Sequence, residues 1–383
     1  MNTLMNSCLL SLLLQLSGPG LSPLREQLLA THPGLPQHNH SLVQEMKALE
    51  AHTSAPPESA LSFDPHGFGH LQLGTRSWQA GHFSTPTLAE LKARLPRPAE
   101  PGALRFSVLR GQDPLTDIGA LQAHSRSGTL FQVASQFNGL EAPGPQLVRV
   151  ADYFQDPTQG PRAAISAFAG VLLRHYAAPA PDGSHFRQSA TQQLNFLADA
   201  LPDAIGQVEQ GYLTARQIPA PQAAAQALEA HFDQIRIGLH ANIEVGLGYN
   251  WLGRVPEGKV IHQVLTSTLA AGAYSPDIDS AAPEWQAVMR PLLRAAYLGT
   301  LLGALSLDAE QVVLTPIGGG VFGNPHPLIW KSLLWALDQA QAYVPPNKSL
   351  TVVLNARDFG QGLAEATFET ATAQHQGNVR WLP

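Results

Sequence analysis

The sequence predicts an α/β fold in which helices cover both faces of a largely parallel sheet. Two patterns predict it. From about residue 104 to the end, short apolar runs of strand length alternate with segments of helical periodicity. One buried strand also runs straight into a glycine-rich loop, the kind of loop that binds ligands at the carboxyl ends of such sheets. The chain has 383 residues, enough for one large domain or two. Charged residues make up only 14%, against the roughly 25% usual in soluble domains, so charge-driven disorder is excluded.

The elements follow in order. Residues 1–100 lean helical and are broken by turns, which reads as an N-terminal helical and irregular extension. The apolar run 4–16 is too short to span a bilayer. No Lys or Arg precedes it, and Ser17-Gly18-Pro19-Gly20 offers no small-x-small cleavage site. It is therefore expected to pack on the domain as an amphipathic helix in a cytoplasmic protein, with a secretory signal as the alternative. Leu42, Met46 and Leu49 recur at helical spacing. Residues 52–65 read as loop, and 63–78, rich in Gly and His, as irregular. Residues 85–95 read as a short helix capped by Ser84 or Thr85, and the proline-rich 96–102 as a linker.

The α/β domain is expected over 104–383. Strands are predicted at 104–109 and 128–133, the second ending on Ser135-Gln136-Phe137-Asn138. Pro161 opens one helix over 161–176, with Ile165, Phe168, Leu172 and Tyr176 on one face. Residues 180–257 are too long for a connection and read as a mixed insertion placed to act as a lid. It is expected to carry helices near 188–210 and 220–234 and a strand at 235–245. Gln188, Gln192, Gln193 and Asn195 would give the first of these helices an amide-rich face. Beyond it come strands at 259–265, 311–315 and 350–354 and helices at 285–305, 327–341 and 362–374.

The net charge of −6 leaves no basic excess for nucleic-acid binding. The single cysteine, Cys8, excludes an internal disulfide and a Cys-rich zinc site. The 15 histidines are scattered without an HExxH pair, so no metal and no cofactor are expected. No membrane partner is expected either.

The sharpest motif is the strand 312–315 followed by Pro316-Ile317-Gly318-Gly319-Gly320-Val321-Phe322-Gly323-Asn324-Pro325. Glycines let backbone amides converge without Cβ obstruction, which suits a phosphate or diphosphate. A P-loop is excluded, because Asn324-Pro325 stand where Lys and Ser/Thr are needed. Gly318, Gly320 and Gly323 match G-x-G-x-x-G, but no acidic residue follows at the expected distance, so a dinucleotide-binding enzyme remains an alternative only. A second loop, Asp156-Pro157-Thr158-Gln159-Gly160-Pro161, leads into the helix at 161 and suits either an anion or simple capping.

Taken in order, several segments resemble the macrodomain family, which binds ADP-ribose. Phe106 to Leu109 with Gly111-Gln112-Asp113 and Thr116-Asp117-Ile118 resembles its first strand and Gly-Asp-Ile signature. Ala134-Ser135-Gln136-Phe137-Asn138 is similar to its Val-Asn-Ala-Ala-Asn strand end. Gly160-Pro161-Arg162, Val260-Ile261-His262, Ala295-Ala296-Tyr297, Ile317 to Asn324, and 350–354 with Phe359 stand in the family's order. The likeness is to a divergent branch, with 131–141 and 156–161 as hallmark strings. It implies a macro-like three-layer α/β/α sheet. By that resemblance Asp113 or Asp117 would accept from the adenine amino group, and Asn138 would face the distal ribose. Gly160 and the loop Gly318, Gly319, Gly320, Val321, Phe322, Gly323 and Asn324 would grip the diphosphate. Phe322 and Phe359 would flank ribose and adenine.

The chain also departs from the family. The first loop's triple glycine becomes Thr158-Gln159-Gly160, and Arg162 stands where many hydrolytic members carry an acidic residue. The Glu-Glu pair of poly(ADP-ribose) glycohydrolases is absent. Replacement carboxylates are Asp156, Glu141 and Glu244, each able to position a water or act as a base, or alternatively to serve as a cap, a surface charge or an ion-pair partner. Gln136 and Gln159 are placed to orient a ribose. His262 is expected to be a core histidine. The function expected is binding of ADP-ribose or an ADP-ribosylated substrate, with hydrolysis resting on Asp156, Asn138 and Glu244. A non-catalytic ADP-ribose reader is the alternative.

Overall fold

The five apolar runs at 104–109, 128–133, 259–265, 311–315 and 350–354 lie side by side as parallel strands in the computed structural model, which describes residues 9–16, 20–29, 35–51, 56–156 and 158–383. Cys8, Ser17-Gly18-Pro19, residues 52–55 and Pro157 lie outside the described residues. The chain opens with α1 (Leu9–Gln15), α2 (Leu21–Leu29) and α3 (Leu35–Ala51). Then come β1 (Leu61–Phe63), β2 (Gly69–Leu73), β3 (Arg76–Ser84), α4 (Leu88–Arg94) and β4 (Ala103–Gly111). They are followed by α5 (Ile118–His124), β5 (Leu130–Ala134), α6 (Gln159–Ile165), α7 (Phe168–Tyr176), β6 (Ala178–Pro179), β7 (His185–Phe186) and α8 (Pro221–Ala230). The last elements are β8 (Gly238–Glu244), β9 (Val260–Thr266), α9 (Pro283–Ser306), β10 (Gln311–Leu314), α10 (His326–Gln341), β11 (Ser349–Arg357), α11 (Glu365–Gln374) and β12 (Val379–Leu382).

Ten strands form one sheet in the order β1-β2-β3-β8-β9-β5-β10-β11-β4-β12. From β9 to β12 every pairing is parallel, and from β1 to β9 every pairing is antiparallel. Helices α4, α8, α9 and α10 pack against one another on one face, and α5, α6 and α7 cover the other. This is a three-layer α/β/α arrangement, the architecture the sequence predicts. The central strands are buried on both faces, which is why they read as continuous apolar runs rather than alternating ones.

Several boundaries differ from the sequence expectation. Residues 61–78, read as loop and irregular, supply β1, β2 and the start of β3, which runs on to Ser84, and Ser84 pairs with Leu239 to join them to the main sheet. Their signal is short: Leu71 and Leu73 alternate with polar neighbours, and Gly74-Thr75 makes the two-residue turn between β2 and β3. The cap of α4 is Thr87, whose side chain accepts from Glu90 N while Glu90 reaches back to Thr87 N. The helix expected over 161–176 is two, α6 and α7, broken at Ser166 and Ala167. The break turns the Ser166 carbonyl outward, where it accepts from Gly246 and Leu247. No helix forms over 188–210. There the side chains bond the backbone that a helix would need: Gln188 Oε1 accepts from Leu194 N, Ser189 Oγ from Gln192 N and Asn195 Oδ1 from Leu197 N. Among the described residues no helix is long and apolar enough to cross a membrane.

Candidate functional site

The carboxyl ends of β5, β9, β10 and β11 open into one cleft with two lobes. The proximal lobe, about 330 Å³, is walled by Ile118, Gln132, His326 and residues 355–359. The distal lobe, about 280 Å³, is walled by Gln136, Glu141, Asp156, Tyr212, Tyr274 and Phe322. Ala134, Gln159, Gly160, Thr315, Pro316 and Gly320 line both and form the waist between them. The two loops singled out in the sequence thus face each other across a single constriction.

The 316–324 loop is stitched by its own backbone: Gly319 N donates to Pro316 O (3.0 Å), Gly323 N to Gly320 O (2.9 Å) and Asn324 N to Gly318 O (2.9 Å). Gly318 has φ +75°, and a Cβ there would stand 2.5 Å from Thr268 Oγ1, so only glycine fits. Among the described residues the amides of Gly320, Val321 and Phe322, and those of Gln159 and Gly160 opposite, donate to no protein acceptor. Each loop leads into a helix as expected: α6 starts at Gln159, within its loop, and α10 at His326, directly after the other, with Pro325 as its cap. Gly323 meets Gly272, its Cβ position lying 2.8 Å from Gly272 Cα. The third glycine of G-x-G-x-x-G therefore does not serve close helix–strand packing, which removes the support for a dinucleotide-binding enzyme.

In the distal lobe, Gln136 Nε2 donates to Glu141 Oε2 at 2.7 Å. Glu141 N donates to Tyr153 Oη at 2.7 Å. Burial of the Glu141 carboxyl, with Asp156 nearby adding its charge, pushes its pKa up to about 8 against the pull of Gln136. Asp156 Oδ1 accepts from Thr158 N (2.9 Å), shaping the entry to α6. Phe322, Tyr212 and Tyr274 form an aromatic wall with ring centroids 5.1–5.7 Å apart. Tyr212 and Tyr274 donate to the carbonyls of Ala142 and Pro143, holding the segment that carries Glu141.

In the proximal lobe, Phe359 packs on His326 with centroids 4.6 Å apart. His326 Nδ1 accepts from Gln361 N (2.9 Å), which leaves Nε2–H to donate to Gly319 O (3.2 Å). This one side chain ties the 316–324 loop to the end of β11. Neither His326 nor Arg357, which also lines the lobe, was marked by the sequence, because a lone His after Pro and a lone Arg carry no motif.

Other expected site residues lie elsewhere. Asp117 is fully buried as the cap of α5, accepting from Ala120 N, and bonds Arg162 at 2.8 Å. Asp113 pairs with Arg357 at 2.5 Å and with Arg162 at 3.6 Å. Neither aspartate lines either lobe of the cleft, and each is engaged by an arginine instead. Asn138 is buried beneath the insertion: its Oδ1 accepts from Leu140 N (3.0 Å), its Nδ2 donates to Gln193 (2.8 Å), and Gly211 packs on it. Asn324 is likewise internal, donating to Leu269 O at 2.9 Å. Glu244 stands at the far end of the sheet, opposite Val260 at the start of β9, where it pairs with Arg76 and accepts from Gln79 N (3.1 Å). His262 is a core histidine: it accepts from Asn242 N, and burial lowers its pKa to about 4.

No protein-family model matches the chain, and no curated protein matches it. Among solved structures it is similar to the poly(ADP-ribose) glycohydrolase of Thermomonospora curvata, at 13% identity over 88% of this chain and 99% of that one, with a TM-score of 0.43. It is also similar to the poly(ADP-ribose) glycohydrolase of Deinococcus radiodurans in complex with ADP-ribose, at 13% identity over 76% and 94%, with a TM-score of 0.43.

Proposed function

We propose that this protein binds ADP-ribose, or a closely related nucleotide diphosphate, across the two-lobed cleft and hydrolyses an ADP-ribosyl bond in the distal lobe. The observation that carries this reading is the waist. The two cavities meet between Gly160 and Gly320, where the two loops face each other and the amides of Gln159, Gly160 and Gly320 donate to no protein acceptor among the described residues. A diphosphate with an organic group on each side suits that shape, and the ordered resemblance to macrodomains points to the same ligand. His326 and Phe359 provide a stacking surface for a base in the proximal lobe. Hydrolysis is supported by Glu141 and Asp156, two carboxyl groups in the wall of the distal lobe.

Titration calorimetry with ADP-ribose, using AMP and NAD as controls, tests the binding. A Cβ at Gly320 would meet no atom within 4 Å, so Gly320→Glu folds and places a carboxylate at the waist. Binding of ADP-ribose that is abolished in Gly320→Glu supports the reading, and its absence from the wild type overturns it. Product release that is lost in Asp156→Ala supports the hydrolytic half.

A further inference from the structure

Glu50, in the last turn of α3, lines neither lobe of the cleft. Its carboxylate accepts from two consecutive amides, Val150 N (2.7 Å) on one oxygen and Ala151 N (2.8 Å) on the other, and from Tyr176 Oη (2.5 Å). We propose that Glu50 is a positioning residue for the distal lobe: it fixes the 3-10 turn Val150–Gln155, and that turn sets where Glu141 and Asp156 stand. The proposal rests on the ADP-ribose reading of the cleft.

Three observations carry it. First, the turn has no cap of its own. Arg149 precedes it and gives its amides no side-chain bond. The carboxylate that a helical turn usually takes from its own cap comes here from the N-terminal extension. Second, the other end of the turn lies in the distal lobe. Tyr153 Oη accepts from Glu141 N at 2.7 Å, which leaves its own hydrogen to donate to His175 Nε2 at 2.9 Å. Asp156 closes the turn, its amide donating to Tyr153 O at 3.2 Å, and stands in the lobe wall. Third, the chain between Glu141 and the turn is a poor spacer. Residues 143–149 hold Pro143, Gly144 and Pro145 and form no helix or strand. Backbone continuity alone therefore does not set the distance from Glu141 to the turn, whereas the bonds at Tyr153 and Glu50 do.

The effect of Glu50 is confined by this geometry. Loss of one of its oxygens leaves an amide at the start of the turn without its acceptor, and the slack passes to Glu141 through Tyr153 and to Asp156 through the turn's own end. The stacking pair of the proximal lobe, His326 and Phe359, belongs to α10 and to the segment after β11, and neither bonds the turn.

The test compares Glu50→Gln with wild type. Glutamine keeps the size of the side chain and one carbonyl oxygen, and puts in place of the other an amide nitrogen that cannot accept from a backbone N–H. Two probes are titrated: ADP, which has no distal sugar, and ADP-ribose, which does. Affinity for ADP-ribose is expected to fall about tenfold, the size of one lost charge-assisted hydrogen bond, while affinity for ADP stays within about twofold of wild type. Amide hydrogen exchange supplies a readout that a simple cap would not move. Exchange is expected to quicken at Glu141 as well as at Val150 and Ala151, with protection in β10 unchanged, which also shows that the variant folds. Faster exchange confined to Val150 and Ala151 makes Glu50 a cap and nothing more, and overturns the proposal. Equal losses of affinity for the two nucleotides overturn it too. A wild type that binds ADP-ribose and a Glu50→Gln variant that binds it equally well overturn this proposal alone. A wild type that binds no ADP-ribose overturns the proposed function, and with it the role given to Glu50.

Discussion

Gly160 and Glu141 are complementary: a Cβ on residue 160 would stand 2.5 Å from Glu141 Oε1, so the absence of a side chain on the first turn of α6 makes room for the carboxyl. The strand end of β5 and the loop before α6 are thereby coupled. Gln136 holds the other carboxyl oxygen, and the waist of the cleft lies beside the same glycine.

Gly160→Ala is accordingly expected to act on the site more than on the fold. Its helical conformation accepts alanine, so the melting temperature should change little. The methyl group must displace the Glu141 carboxyl or narrow the waist, and affinity for ADP-ribose should fall about tenfold or more, corresponding to ~1.4 kcal/mol. Calorimetry beside thermal melts measures both. A large melting loss with unchanged affinity would contradict this account.

Gly318→Ala should behave differently. The residue has φ +75° and its Cβ would meet Thr268 Oγ1 at 2.5 Å, so the loop itself must shift. Left-handed backbone alone costs about 1–2 kcal/mol for a residue with a Cβ. Both stability and ligand affinity are expected to fall, as measured by denaturant unfolding and calorimetry.

Arg162 holds Asp117 and Asp113 rather than facing the cleft. Arg162→Met therefore leaves Asp117 buried without its cation, and a loss of about 3–5 kcal/mol is expected, typical of breaking one side of a buried pair. Burial already holds the Asp117 carboxyl above the usual range, with the Ala120 amide and Arg162 pulling it down. A carboxyl whose folded pKa is raised contributes stability below its unfolded pKa, and that contribution is lost as pH rises through the folded value. The deficit of the variant should thus be largest at neutral pH and shrink towards about pH 4. Unfolding curves across that range test it.

The parallel half of the sheet was legible because buried central strands are uniformly apolar: Val312 to Leu314 and Leu350 to Leu354 admit little else. The antiparallel half was not, because β2 and β3 carry Gly, His and Gln among their apolar positions and are fixed by pairing to distant β8. The site divided in the same way. The glycine loop was visible as a string, and the structure places it at the waist. Asp113, Asp117 and Glu244 were plausible as isolated carboxylates, but what each one faces depends on Arg162, Arg357 and Arg76, residues remote in sequence. Asn138 sits at the strand end where a ligand was expected, yet Gln193 and Gly211 of the insertion cover it. No local pattern announces that covering.

The pH dependence of stability offers a check on Glu141 that needs no substrate. In the folded chain its pKa is pushed from 4.5 to about 8, chiefly by burial, with the Asp156 charge adding to the rise and Gln136 opposing it. Between those values the folded state holds a proton that the unfolded state has released. Its contribution is therefore complete below about 4.5 and is lost as pH rises through about 8, so stability falls with pH across that window. Glu141→Gln carries no titrating group and has no such loss. The difference in melting temperature between variant and wild type should move in favour of the variant from pH 5 to pH 8 and level off above it. Asp156→Asn removes the neighbouring charge and should shift the wild-type transition to lower pH, because one of the forces raising the Glu141 pKa is gone. A difference that stays flat over this range would mean that Glu141 is ionised in the folded protein at neutral pH, and the distal lobe would then hold two carboxylates and no acid.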